Sequence, residues 1–357
     1  MTGWPPRNRP IRVVQVGMGG WGRDWMAVTA AERGVENVAY VDSAVEARTA
    51  TVAGGALPGR VFGDLEAALR ATAAEAALVT TAVGAHVPVV LEALAAGLHV
   101  LVEKPFAPTL EDAATAVRAA AAAGRTLMVS QNYRYHPAPR FAAGLVARGE
   151  VGAVSSVDVD FRRHPIRHPE WAARHRAMDQ PLLADMAIHQ FDLLRLVLGR
   201  EPRWVEIEPI AAPASGYRDP PAAVGLLSFD GDVAVSYRGS WVSRGRPTPW
   251  GGEWRLEGED GAIEWATRGD RGVPDELRRR TAGGAARPVE LPPIAALDRA
   301  GALAAFVDAI RTGVEPETSG RRNLPTLALT LAAIRSATER RRVAVAELLE
   351  DLPEDVR

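Results

Sequence analysis

Asp185 and His189 are the residues of this sequence best placed to move a proton. They are four positions apart, so on a helix both side chains lie on one face and can reach one ligand. Imidazole accepts a proton near neutral pH, and a hydroxyl that is to be oxidised must lose its proton. We therefore interpret His189 as a candidate acid/base, with Asp185 holding the imidazole or binding a substrate hydroxyl. The alternative is an ion pair on a helix face with no catalytic role.

Lys104 is a second candidate, since it stands between Glu103 and Pro105 directly after a predicted strand. An ammonium group there can donate to a substrate oxygen and favour an alkoxide. The alternative is a surface lysine that pairs with Glu103. The local sequence leaves both interpretations open.

A glycine-rich segment follows the first predicted strand and opens a helix, as the G-x-G-x-x-G pattern of dinucleotide-binding proteins requires. Gly17 would allow the tight turn, Gly19 would let a pyrophosphate approach the backbone, and Gly22 would let helix and strand pack closely. The phosphates would then meet the positive end of the helix. The candidate cofactor residues of this segment are Gly17, Met18, Gly19, Gly20, Trp21 and Gly22.

Asp42 ends the second predicted strand, twenty residues after Gly22. A carboxylate at this place binds the adenosine ribose hydroxyls and repels the 2′-phosphate of NADP. With Ser43 next in the chain, the sequence favours NAD. Arg48 could fold back toward the ribose, which leaves NADP as the second choice.

Strands and helices alternate through the first third of the chain, which predicts a parallel sheet covered on both faces. We expect a Rossmann dinucleotide-binding domain over residues 1–135. The predicted strands are 11–16, 37–41, 77–81, 98–102 and 126–130, and the predicted helices are 20–33, 65–70, 87–96 and 110–123.

Residues 136–357 are expected to form a second α/β domain on an open, mainly antiparallel sheet, because short turns join several of its strands. Residues 266–297, rich in Arg, Gly and Pro, are interpreted as a long loop. The predicted strands are 154–161, 203–209, 224–229, 233–241, 253–257 and 262–265, and the predicted helices are 183–198, 302–312 and 324–341.

Composition narrows the possible partners and chemistry. The 357 residues carry a net charge of −2, which indicates neither nucleic acid nor an acidic membrane as a partner. The absence of cysteine excludes disulfides, thiolate metal sites and a cysteine nucleophile. With no signal peptide or membrane span in the sequence, we expect a cytoplasmic protein. A loose cluster of basic residues suggests a polar loop and an acidic or phosphorylated substrate rather than a metal site: Arg162, Arg163, His164, Arg167, His168 and His175.

Five stretches, in order, resemble the Gfo/Idh/MocA oxidoreductase family, which includes glucose–fructose oxidoreductase and inositol dehydrogenase. The resemblance spans about residues 11–345. The stretches are Val13-Val-Gln-Val-Gly-Met-Gly-Gly-Trp-Gly22, Leu98-His-Val-Leu-Val-Glu-Lys-Pro-Phe106, Val129-Ser-Gln-Asn-Tyr-Arg-Tyr-His-Pro137, Leu183-Ala-Asp-Met-Ala-Ile-His-Gln-Phe-Asp192 and Glu315-Pro-Glu-Thr-Ser-Gly-Arg-Arg-Asn323.

The resemblance implies a role for each matching residue. Lys104 would be the active-site lysine, His189 the acid/base and Asp185 its substrate-binding partner. Thr81 and His86 would pass near the nicotinamide, although Ala82 and Val83 replace the prolines usual there. Asp192 would support polar order beneath the site, and Glu103 would lie on the cofactor side. Two further candidates come from the residues themselves: Arg134 could meet cofactor or substrate, or could belong to a structural hinge with ring packing, and Trp171 could form a wall of the substrate pocket.

The family further implies an NAD(P)-dependent enzyme that moves a hydride between nicotinamide and a hydroxyl or carbonyl carbon of a sugar, polyol or related compound. It also implies a homodimer or homotetramer assembled through the second sheet. Two alternatives remain within the resemblance: a glycosidase that uses NAD for transient oxidation, and a non-catalytic sensor of dinucleotide and ligand.

Overall fold

A computed structural model describes residues 9–163, 169–270, 272–350 and 352–356, apart from the side chains of residues 169–171. The chain forms two compact units. The first comprises Met1–Asn132, Ala296–Leu324 and Leu352–Arg357, and the second comprises Tyr133–Ala295 and Pro325–Asp351. Two later segments thus join the first unit, whereas the sequence predicted a single division at residue 135; that division stays a prediction.

The first unit is built on a six-stranded parallel sheet of order β3-β2-β1-β4-β5-β6. Its strands are β1 (Ile11–Val16), β2 (Val35–Val41), β3 (Val61–Phe62), β4 (Ala76–Val79), β5 (His99–Glu103) and β6 (Leu127–Ser130). Its helices are α1 (Gly20–Ala31), α2 (Val45–Ala53), α3 (Leu65–Ala71), α4 (Val83–Ala95), α5 (Leu110–Ala123) and α9 (Asp298–Thr312).

Helices cover both faces of this sheet, so its strands are rich in buried apolar residues. Every residue of β4, β5 and β6 is buried. Strand order reverses beside β1, where β2 lies on one side and β4 on the other. Ligands of such sheets bind beyond the carboxyl ends of the strands at this switch point. The predicted Rossmann fold is confirmed.

The second unit is built on a nine-stranded sheet of order β14-β13-β12-β11-β7-β10-β9-β8-β15. Its strands are β7 (Val154–Arg162), β8 (Pro202–Ile210), β9 (Ala222–Phe229), β10 (Val233–Ser240), β11 (Glu253–Gly258), β12 (Gly261–Ala266), β13 (Glu276–Thr281), β14 (Arg287–Pro288) and β15 (Val343–Ala344). Its helices are α6 (Pro137–Ala147), α7 (Pro169–Arg176), a π turn (Leu183–Ala187) followed by α8 (Ile188–Leu198), α10 (Gly320–Glu339) and α11 (Ala346–Leu349). The first residues of α10 belong to the first unit, and its residues from Pro325 onward belong to the second.

Only β7 and β10 pair in parallel in this sheet, so the expected mainly antiparallel arrangement is confirmed. Side chains of β10 alternate strictly between buried and exposed, as a half-covered sheet requires. Three apolar side chains are exposed on neighbouring strands: Ile210, Val224 and Leu226. Assembly through this sheet stays a prediction.

The expectation of one long loop over residues 266–297 was wrong, because β13 and β14 lie within it. In β13 only Leu277 is buried, while Arg278, Arg279 and Arg280 hide the strand pattern in the sequence. Arg279 donates to Glu150, which ties this strand to the loop before β7.

Candidate active site

The glycine loop is held by packing that allows no side chain at two of its positions. Gly17 has φ +95°, and a Cβ added there would lie 2.5 Å from the amide nitrogen of Thr81. A Cβ on Gly22 would lie 1.9 Å from the carbonyl oxygen of Gly17. Glycine is therefore required at both positions by the fold itself.

Gly19 differs, because an added Cβ would meet no atom within 4 Å. It is the N-cap residue of α1 and makes no side-chain cap hydrogen bond. The positive end of the helix thus faces an open, side-chain-free stretch of backbone. A pyrophosphate fits this arrangement, because backbone N–H groups at a helix N-terminus bind anions.

The Asp42 carboxylate is oriented by two backbone amides. The amide of Met18 donates to Oδ2 over 2.7 Å, and the amide of Ala44 donates to Oδ1 over 2.9 Å. Each oxygen retains a lone pair for a ribose hydroxyl. Arg48 does fold back, and its Nη1 donates to the carbonyl oxygens of Asp42 and Ser43, 2.8 Å from each. A fixed acidic group and a nearby cation thus share the ribose end of the loop.

Glu103 and Lys104 lie at the carboxyl end of β5, but their side chains differ in burial. Glu103 is buried and accepts a 2.8 Å hydrogen bond from Trp25 Nε1 on α1. The Lys104 side chain is half-buried, and the Lys104–Pro105 peptide bond is cis. Glu103 therefore connects the end of the strand to the glycine-loop helix.

His86 contacts the main chain at two places, after Lys104 and after β4. Its Nδ1 lies 2.8 Å from the carbonyl oxygen of Pro105, and its Nε2 lies 3.0 Å from that of Thr81. Burial lowers the pKa of His86, although the two carbonyl groups act in the opposite direction. A neutral imidazole can donate to only one of these two carbonyl groups, and only the protonated ring can donate to both.

Trp21 has a neighbour that the sequence does not indicate. The Arg299 guanidinium, on α9, lies 4.6 Å from the Trp21 ring centroid and 5.7 Å from that of Trp25. Cation–π contacts of this kind stabilise the arrangement and place a positive charge beside the glycine loop.

In the second unit, His189 packs face to face against Tyr133. The ring centroids are 3.8 Å apart and the planes differ by 5°. His189 is 4% exposed and Tyr133 is also 4% exposed. Stacking on a buried aromatic ring restricts the imidazole to one orientation, as an acid/base requires.

Asp185 lies one turn before His189, inside the π turn, a form found frequently at functional sites. Its Oδ2 is 3.4 Å from His175 Nε2. On the other side of that ring, His175 Nδ1 is 3.0 Å from the Tyr217 hydroxyl. Burial raises the pKa of Tyr217 to about 12, so this phenol stays protonated near neutral pH. The sequence missed this role of His175, which lies on the unpredicted helix α7.

Arg134 lies against α8. Its Nε and Nη2 donate to the two oxygens of Asp192 over 2.6 and 2.9 Å, and both side chains are buried. Thr326 Oγ1 donates to the same carboxylate over 3.1 Å. The pair therefore fixes the backbone beside Tyr133 to the helix that carries His189. A direct substrate contact for Arg134 stays a prediction.

Contacts around His189 continue through side chains distant in sequence. Arg268 lies over the Tyr133 ring, 4.5 Å from its centroid, and its Nη1 is 3.2 Å from the Tyr133 hydroxyl. The Arg268 carbonyl accepts from the amide of Trp250, whose ring contacts Trp241. Trp241 in turn contacts His175, which brings the sequence of contacts back to Asp185 and the helix of His189.

Four predicted features fall outside the residues that can be described: the side chain of Trp171, and His164, Arg167 and His168. Within the described ranges, no cluster of three or more His, Asp or Glu side chains could hold a metal ion. No helix in those same ranges is long and apolar enough to span a membrane.

Both parts of the chain match a family description. Residues 11–131 match the oxidoreductase family with an NAD-binding Rossmann fold, and residues 140–264 match the GFO/IDH/MocA C-terminal domain.

Similar proteins include D-apiose dehydrogenase from Paraburkholderia graminis, 28% identical over 301 residues (82% of this chain and 79% of the relative). D-xylose 1-dehydrogenase (NADP(+)) 2 from Haloferax volcanii is 30% identical over 244 residues (66% and 70%). A solved inositol dehydrogenase homolog from Azotobacter vinelandii, complexed with NADH and myo-inositol, superposes with a TM-score of 0.80 at 21% identity (94% and 98%).

Proposed function

The chain belongs to the Gfo/Idh/MocA oxidoreductase family, and we propose that it catalyses reversible hydride transfer between NAD and a secondary hydroxyl carbon of a sugar, polyol or related compound. The observation that carries this proposal is the buried imidazole of His189, fixed by the Tyr133 ring and one helix turn from Asp185. Such a group can take up or return the hydroxyl proton that hydride transfer requires.

The first unit contributes the residues that would hold the dinucleotide. The open backbone at Gly19 and the positive end of α1 suit the pyrophosphate, and Asp42 suits the adenosine ribose. When bound, the nicotinamide supplies the hydride acceptor or donor.

The remaining chemistry is assigned to side chains of this protein. His189 accepts the hydroxyl proton at its imidazole, and Asp185, whose Oδ2 lies 3.4 Å from His175 Nε2, binds a second substrate hydroxyl. Lys104 donates to the reacting oxygen and stabilises the negative charge that develops on it. We keep Arg134 out of these roles because its Nε and Nη2 donate to Asp192.

The names of the relatives support a sugar or polyol substrate, since D-apiose dehydrogenase and D-xylose 1-dehydrogenase oxidise such compounds by name. The glycosidase and sensor alternatives find no support in these names. Cytoplasmic location and a homodimer or homotetramer remain predictions of the sequence.

The proposal is tested by following absorbance at 340 nm while polyols, aldoses and sugar acids are offered with NAD and then with NADP. We expect NADH to form with at least one substrate class. The Lys104→Ala variant should lose most of that rate while binding NAD. Absence of turnover across the panel, with NAD bound normally, would overturn the proposal.

Cofactor preference is tested with dissociation constants. Because of the Asp42 carboxylate, we expect NAD to bind about tenfold more tightly than NADP. Asp42→Ser should reverse this preference, since it removes the repulsion and leaves Arg48 near the 2′ position. Asp308→Ser is the matched control, because Asp308 is exposed on α9 and follows Val307, which lies beside Gly34 before the start of β2, at the opposite end of the strands; it should leave both constants unchanged. An unchanged preference in Asp42→Ser would contradict the assignment.

A further inference from the structure

Arg163 is an unusually placed cation in the second unit, because it is only 8% exposed. It follows β7 directly, and its backbone is fixed on both sides. Its amide donates to the carbonyl of Ser240, and its carbonyl accepts from the amide of Ser243. The side chain therefore projects from rigid backbone.

One edge of the Arg163 guanidinium donates hydrogen bonds within the protein, and the other edge does not. Nη1 donates to the Asp270 carboxylate over 3.1 and 3.3 Å, and the group stacks 4.1 Å above the Trp250 ring. Among the residues that the structure describes, Nε and Nη2 have no hydrogen-bond acceptor. Buried charged donors without an acceptor are costly, so this edge calls for an oxygen ligand.

The same edge binds carboxylates elsewhere in this protein. Arg134 uses Nε and Nη2 for the two oxygens of Asp192, and Arg195 uses Nε and Nη2 for the two oxygens of Glu201. The spacing of the two donors matches two coplanar oxygens of one planar anion. A carboxylate is therefore the ligand chemistry that the edge fits best.

Arg163 also belongs to the surroundings of His189. Arg163 stacks on the Trp250 ring, and the Trp250 amide donates to the carbonyl oxygen of Arg268. Arg268 lies over the Tyr133 ring, and Tyr133 stacks on His189. A continuous series of contacts thus connects Arg163 with the aromatic group that fixes the candidate acid/base.

We propose that the substrate is a sugar acid whose carboxylate pairs with Nε and Nη2 of Arg163. The inference rests on the proposed function and makes its substrate class specific: a polyhydroxylated carboxylate such as an aldonate or uronate. Trp250 and Asp270 hold the guanidinium, and the hydroxyl to be oxidised belongs to the same molecule.

The test compares matched substrates in the intact protein with NAD. Glucose is compared with gluconate and glucuronate, galactose with galactonate and galacturonate, and glucose 6-phosphate forms a separate arm. We expect kcat/KM to be at least about tenfold higher for a carboxylate than for its neutral partner. Arg163→Gln should raise KM for the carboxylate about 10- to 100-fold and change kcat much less.

Three further measurements make the result decisive. Arg163→Lys keeps the charge but not the paired donors, so it should recover only part of the affinity; it also serves if Arg163→Gln does not fold. Arg246→Gln removes an exposed arginine and should leave the preference intact. In Arg163→Gln, the loss in kcat/KM should be at least about tenfold larger for the carboxylates than for the neutral sugars, whereas a merely structural role would reduce it equally for all substrates.

Turnover of neutral sugars without preference for carboxylates would overturn this inference and leave the proposed function standing. A preference for glucose 6-phosphate over both carboxylates would overturn it in favour of a phosphate group. Absence of turnover with every substrate would instead overturn the proposed function itself.

Discussion

The rings of Tyr133 and His189 lie parallel, with centroids 3.8 Å apart. The contact joins a short 3-10 turn, Asn132–Arg134, to the first turn of α8. Arg268 lies over the Tyr133 ring, so the imidazole belongs to a buried stack that sets its orientation.

Tyr133→Leu removes the aromatic face but retains an apolar side chain. We expect kcat to fall about 100-fold, because misplacing a reacting group lowers the rate by about this factor, while NAD affinity changes little. Tyr133→Phe keeps the ring and loses the hydroxyl, and should lose less than about tenfold. Steady-state kinetics of both variants check this. Equal losses in the two variants would show that the hydroxyl matters and the stack does not.

The buried pair of Arg134 and Asp192 should be a determinant of stability. Arg134→Gln leaves Asp192 buried without its cation, so we expect the free energy of unfolding to fall by about 3–5 kcal/mol. Arg335→Gln, in the exposed pair with Glu339, is the control and should cost at most about 1 kcal/mol. Urea denaturation measures both. A loss as small as that of the control would contradict the buried-pair account.

Two glycines of one loop should respond differently to alanine. Gly22→Ala places a Cβ 1.9 Å from the Gly17 carbonyl oxygen, so we expect a loss of about 3 kcal/mol or more in stability. Gly19→Ala meets no atom within 4 Å and should fold with near wild-type stability. It should nevertheless raise the dissociation constant of NAD about tenfold, because the Cβ lies where the pyrophosphate approaches. Titration calorimetry and thermal melting separate the two effects; normal NAD binding by Gly19→Ala would contradict the cofactor site.

His99 should make the stability of the first unit depend on pH. Burial, with a smaller contribution from Arg125, lowers its pKa to about 4, and its Nδ1 accepts a hydrogen bond from the Thr126 amide. The unfolded chain binds a proton at His99 below about pH 6.5, whereas the folded chain does so only near pH 4. Stability is therefore retained above pH 6.5 and lost as the pH falls toward 4, by about 2 kcal/mol from this residue.

His99→Asn can still accept from Thr126 but does not titrate. We expect its denaturation curves to lack the part of the acid-induced loss that wild type shows between pH 6.5 and 4. Parallel pH profiles for the two proteins would contradict the low pKa.

Local signals in the sequence were sufficient for much of this molecule. The glycine spacing and the strand pattern predicted five of the six strands of the first sheet, because each depends on neighbours in the chain. Helix α2 and the two-residue strand β3 were missed. The i, i+4 spacing of Asp185 and His189 predicted one helix for both, although it did not predict the π turn at Asp185.

Contacts between distant positions could not be predicted in this way. His175 joins Asp185 through α7, which has no clear apolar periodicity. Arg163 contacts Trp250, which precedes β11, because β7 and β11 pair in the sheet. Arg268 contacts Tyr133 although the two residues are 135 positions apart in the sequence. A single sequence contains no local pattern for such pairings.

The central claim is hydride transfer with His189 as the acid/base, and isotope transfer tests it most directly. The most active substrate is prepared with deuterium at its reacting carbon, and the nicotinamide product is examined by mass spectrometry. We predict deuterated NADH with wild type, and formation at least about 100-fold slower with His189→Asn at unchanged NAD affinity. NADH without deuterium, or an undiminished rate in His189→Asn, would contradict the account.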